Sequence, residues 1–125
     1  MLWLVTVILC VILSAFFNAI ADRLENAPAF NTSVFYKKNP KFWLKETSWQ
    51  YAKKIFAYKI DAWHLVESAQ VVLFILAALL FYFLKPITVT GNWWKLALFC
   101  GLGLVYNFTF NYCYNKLLKR KPNGN

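Results

Sequence analysis

Three apolar stretches dominate this 125-residue chain: Leu2 to Ala21, Ala62 to Leu84, and Trp93 to about Tyr114. Each comes close to the ~20 residues that cross roughly 30 Å of hydrocarbon. Inside lipid, every backbone N–H and C=O must be paired within its own segment, so runs of this length must be helices. Composition agrees: 60% of the residues are hydrophobic, 20% are aromatic and only 15% are charged, too little polar surface for a water-soluble domain of this size. The expected fold is all-α, a single integral membrane domain. Its spans cover residues 2–21, 62–84 and 93–114, separated by an interfacial loop and helix over 22–61 and a short connector over 85–92. A basic tail occupies 115–125.

The formal net charge of +9 raises the question of nucleic acid, and the placement of the basic residues answers it. Of 14 Lys and Arg, eight lie between Arg23 and Lys59 and four between Lys116 and Lys121, whereas the 85–92 connector has only Lys85. By the positive-inside rule the long loop and the tail face the cytoplasm, and the N-terminus and connector face out. Basic residues beside helix ends attract anionic inner-leaflet lipids, so the lipid bilayer is the expected partner and no nucleic acid is expected. Trp3, Trp93 and Trp94 suit the outer interface, with Pro86 and Gly91 turning the connector. Trp43, Trp49, Lys53, Lys54 and Trp63 suit the inner one, where Trp49, Ala52, Phe56, Ile60 and Trp63 recur at the spacing of an amphipathic surface helix leading into the second span.

Two local patterns are set aside. Ala19-Ile20-Ala21 resembles a signal-peptidase site, yet no basic segment precedes it and the apolar run exceeds a signal h-region. Asn31-Thr32-Ser33 and Asn107-Phe108-Thr109 match the glycosylation pattern, but the first is expected in the cytoplasm and the second inside a span. Cys10, Cys100 and Cys113 all fall in apolar runs and read as small buried hydrophobes. Gly101 and Gly103 would allow close helix contact in the third span.

The polar residues of the spans form stripes. Asn18, Asp22 and Glu25 follow i, i+4, i+7 at the inner end of the first; Asp61, His64 and Ser68 follow i, i+3, i+7 at the start of the second, with Glu67 on a neighbouring face; Asn107 and Asn111 share a face of the third. Ionisable groups inside a membrane are costly and are functional candidates by default. Asp22, Asp61 and Glu67 would supply oxygen ligands and His64 a nitrogen ligand for a divalent metal, or His64, Asp61 and Glu67 would act as acid/base groups, with Asn18 and Asn107 orienting a substrate. The plainer reading is that the same groups cap helices and hold them together. A third is an ion or proton path. No phosphate-binding glycine loop, Cys-x-x-Cys pair, HExxH or nucleophile elbow is present.

Several blocks, Phe17-Asn18-Ala19-Ile20-Ala21-Asp22, Pro40-Lys41-Phe42-Trp43 with Ser48-Trp49, and Asp61-Ala62-Trp63-His64, together resemble an uncharacterised family of small polytopic membrane proteins from Bacteroidota genomes, prophages and phages. The resemblance covers residues 16–68. Members usually carry a longer insert before the Asp-Ala-Trp-His block and another His after the first helix, both missing here. It implies a membrane setting, in a cell's inner membrane or a virion membrane, and a phage-related origin. The residues support three expectations: a membrane component acting by helix association and inner-leaflet binding, a metal-dependent enzyme at the inner leaflet, or a pore built by homo-oligomerisation.

Overall fold

The computed structural model describes residues 2–55, 58–83 and 93–120. In chain order these form α1 (Leu2–Arg23), three short helices α2 (Ala27–Asn31), α3 (Pro40–Trp43) and α4 (Lys45–Ser48), and a 3-10 turn over Trp49–Tyr51. Strands β1 (Lys53–Ile55) and β2 (Tyr58–Ile60) follow, then α5 (Ala62–Tyr82), α6 (Trp93–Tyr112) and a π-helical turn over Cys113–Leu117. Three helices are long and apolar enough to cross a membrane: α1 with 22 residues, α5 with 21, and α6, which its π turn extends to 25.

Helix α1 is the centre of the bundle, packing against both α5 and α6. Its buried residues explain why: Cys10, Ser14, Ala15, Ala19 and Ala21 are all small, and small side chains let neighbouring helices approach closely in lipid. One core, around Val7, Val11, Ala77 and Leu102, sits toward the Leu2 end of α1. A second, around Leu24, Phe30, Leu44, Trp63, Cys113 and Leu118, sits at the opposite end. The apolar surface that remains, including Leu65, Val72, Leu104 and Phe108, is exposed, as a lipid-facing surface requires.

Residues 24–51 form a folded cap over one end of the bundle. Asn26 caps α2, its side chain accepting from the Ala29 N–H at 3.0 Å, and Asn39 caps α3 through the Lys41 N–H at 3.0 Å, each with a proline in the first turn. Leu24 and Phe30 are buried in the second core, a contribution of about 1.5–3 kcal/mol each for side chains taken out of interfacial water. The tail joins the same cap. The Val34 N–H donates to the Leu118 carbonyl at 2.9 Å and the Arg120 N–H to the Thr32 carbonyl at 2.8 Å, so the backbone of 118–120 is paired with the cap.

The interfacial helix expected from Trp49 into the second span does not form. Ala52 leaves the helical region at φ −57, ψ 135, and Asp61 is extended at φ −129, ψ 168 because it must cap α5. Between them the chain pairs Lys53 with Ile60 and Lys54 with Lys59 in an antiparallel hairpin, and its Ile and Tyr residues favour extended backbone. Phe56, the 85–92 connector with Pro86 and Gly91, and the end of the tail lie outside the described residues.

Candidate functional site

Two polar constellations occupy the half of the bundle nearest the cap. The first is an Asp–His pair at the start of α5. Asp61 is fully buried; one carboxylate oxygen accepts the His64 backbone N–H at 2.9 Å, the other lies 2.6 Å from His64 Nδ1. One residue thus caps the helix and orients the imidazole through Nδ1, and Nε2 has no hydrogen-bond partner among the described residues. The His64 side chain is 43% exposed and packs between Trp49 and Trp63, with ring centroids at 4.9 and 4.8 Å. Lys45 lies over the other aromatic wall, its Nζ 4.3 Å from the Trp63 ring, and pairs with Glu25 at 3.1 Å.

The second constellation joins all three spans. Ser14 donates to the Gln70 carbonyl at 3.1 Å, linking α1 to α5. The Tyr106 phenol of α6 lies beside the side chains of Gln70 and Asn18, on the side of the bundle that carries Asp22. Gln70 stands about 12 Å inside the start of α5, so these groups lie well within helices long and apolar enough to cross a membrane, where polar side chains need partners.

Arg23 closes the arrangement at the end of α1. It is buried, donates from Nη2 to the Tyr114 carbonyl and from Nη1 to Thr32 Oγ1 at 3.4 Å, and lies 3.8 Å over the Tyr114 ring. The π turn at Cys113–Leu117 is the end of α6 that Arg23 meets, and helix carbonyls left without intrahelical donors favour a cation there.

The expected single site is therefore divided. Asn18 and Asp22 lie on the Tyr106 side of the bundle; Asp61 and His64 form their own pair; Glu25 is an exposed ion-pair partner of Lys45. Glu67 makes no hydrogen bond or ion pair with another described residue, and Ser68 is exposed. Asn107 and Asn111 do not face the interior: both are exposed, and Asn111 donates to the Asn107 carbonyl at 2.9 Å and to its side-chain oxygen at 2.5 Å. Among the described residues no three His, Cys, Asp or Glu lie close enough to share a metal ion, so Asp22, Asp61, His64 and Glu67 are not assembled as a ligand set. The reason is geometric, since the Asp61 oxygens are both committed to His64.

Of the expected interface residues, Trp3, Trp93 and Trp49 are exposed and Trp43 stacks on Phe35 at 5.6 Å. Trp63 is instead buried in the second core, and Trp94 is half-buried. Lys53 and Lys54 belong to β1. Cys100 is exposed, unlike Cys10 and Cys113. A side-chain carbon added at Gly101 or Gly103 would meet nothing within 4 Å, so neither glycine serves a close helix contact. Gln70, Tyr106 and Arg23 carry no periodic signal in the sequence that marks them for the site; Ser14 does, since it continues the Asn18 and Asp22 stripe backward by one i, i+4 step.

Comparison with known protein families, with curated proteins and with solved structures finds no match to this chain.

Proposed function

We propose that this chain is a small, non-enzymatic, multi-pass membrane component that binds anionic headgroups with its folded cap and associates with copies of itself through α6. The supporting observation is the cap's cation–ring pattern. Lys41 lies 4.8 Å over Tyr51, Lys37 5.5 Å over Tyr36, Lys38 5.8 Å over Trp43 and Arg120 3.9 Å over Tyr36. Every described Lys and Arg except Lys95 belongs to this end of the molecule. Rings that suit the headgroup boundary, carrying cations at their faces, form a surface matched to anionic lipid. This end is assigned to the cytoplasmic side by the same charge bias, in a bacterial inner membrane or a virion membrane. Addition of phosphatidylglycerol to the detergent-solubilised protein is expected to raise its thermal midpoint by several degrees more than phosphatidylcholine does. The difference should vanish in K37Q/K38Q/K41Q. An equal rise in wild type and variant would reject the cap as the lipid-binding surface.

Self-association rests on Asn107 and Asn111, which present amides on an exposed face of a helix long enough to cross the membrane. Interhelical amide bonds in lipid are worth about 0.6–2 kcal/mol each. N107L/N111L is expected to shift the dimer-to-monomer balance in detergent toward monomer by about tenfold, measured by crosslinking or sedimentation. An unchanged balance would remove α6 as the contact.

The Asp61–His64 pair favours a second reading, a general base at headgroup level. A carboxylate-held imidazole, its Nε2 without a hydrogen-bond partner among the described residues and its ring partly exposed between two indoles, has the geometry for proton transfer.

A further inference from the structure

We infer that the groove between α5 and α6 seats one acyl chain of an anionic lipid from the leaflet at the Trp93 end of the bundle, with the headgroup held by Lys95. The backbones of α5 and α6 are bridged by two aromatic pairs, Phe81–Phe99 at 6.3 Å and Phe74–Tyr106 at 6.5 Å. Between the pairs the walls shrink to Ala77, Ala78 and Gly103, which opens a half-enclosed apolar cavity of about 330 Å³ backed by Val7 and Val11 of α1. An apolar gap of this size forfeits dispersion contacts on every wall, and water gains nothing there, so hydrocarbon is the occupant that fits its chemistry.

Length and charge narrow the occupant further. Lys95, Phe99 and Gly103 follow i, i+4, i+8 along α6 and share a face. From Lys95 to Tyr106 the helix rises about 17 Å, close to one leaflet's half of a ~30 Å hydrocarbon core. A chain whose head is level with Lys95 therefore ends at Tyr106, whose ring, paired with Phe74, lines the far end of the groove. Lys95 is the sole charged side chain among the described residues in this half of the three spans, so the headgroup it selects is anionic. The site is remote from the basic cap and independent of it.

The test is native mass spectrometry of the full chain in neutral detergent with equimolar phosphatidylglycerol and phosphatidylcholine of identical chains. In the K37Q/K38Q/K41Q background, used throughout so that headgroup binding by the cap does not contribute, the chain should retain one lipid, with phosphatidylglycerol favoured several-fold. Gly103→Leu should lose it while helix content by circular dichroism is unchanged, because the new side chain enters open space. Lys95→Gln should keep a lipid but with the preference reduced to parity. Ala78→Leu fills the groove from the opposite wall and repeats the test should Gly103→Leu lose helix. Undiminished retention in a folded groove-filling variant would show ordinary annular lipid and overturn the proposal. So would a preference that survives Lys95→Gln, or loss of the lipid in the cap variant.

Discussion

Arg23→Ala is expected to lower stability by about 3–5 kcal/mol, enough to separate the cap from the bundle in a chain of this size. The buried guanidinium joins three segments distant in sequence: it leaves the end of α1, donates to Thr32 in the cap and to the Tyr114 carbonyl at the end of α6, and covers the Tyr114 ring. Hydrogen bonds from a charged donor are worth about 1.5–3 kcal/mol, and a desolvated cation–ring contact about 2. Alanine also leaves the Tyr114 carbonyl without its donor. Arg23→Lys should recover little, because one ammonium cannot reach Thr32, Tyr114 and the ring face together. The measurement is thermal unfolding in detergent followed by tryptophan fluorescence, and a loss below about 1 kcal/mol would show that the cap is held by the Leu24 and Phe30 core alone.

That Arg23 carries so much was not legible from its position in the sequence. It stands at the end of an apolar run, where an arginine ordinarily snorkels to water, and its burial depends on a cap whose fold is not periodic. Hydropathy marks the three spans because it depends only on local composition, and the observed helices begin at the expected residues and end within a few of the expected positions. The interhelical contacts depend on rotation about each helix axis. Tyr106 and Asn107 are one residue apart, yet about 100° of rotation separates the side chain that closes the interior cluster from the one facing out. A polar stripe on one helix says nothing of which stripe it meets, so the sequence offers Asn107 to a site as readily as Ser14, Gln70 or Tyr106, and only the packing tells them apart.

The pairing of Lys53–Ile55 with Tyr58–Ile60 has a related cause. Its residues satisfy a helical stripe and an alternating one about equally, and short segments of this kind take whichever conformation their flanks impose. The flank that decides is Asp61. Once its backbone is extended to cap α5, the preceding residues cannot continue that helix, and the expected surface helix is lost to the demands of a single cap.

Asp61→Ala is expected to cost about 2–4 kcal/mol, the sum of a lost N-cap, about 1 kcal/mol, and a lost charge-assisted bond to the imidazole, about 1.5–3. Asp61→Asn separates the two. Its amide oxygen still caps the His64 N–H, whereas the charge that orients Nδ1 is gone, so it should lie about midway between wild type and Asp61→Ala. His64→Ala removes only the second interaction and should match Asp61→Asn on the structural reading, because a cap does not need the ring. Thermal unfolding of the three variants under one detergent gives the order directly. If instead His64→Ala is as stable as wild type, the 2.6 Å contact contributes nothing to folding, and a buried carboxylate is being held against an imidazole at no gain in stability. Such a cost is typical of groups arranged for chemistry. The general-base reading would then displace the headgroup-binding one for this end of the molecule, and stoichiometric metal bound by wild type but absent from His64→Ala would extend it to a metal-dependent reaction.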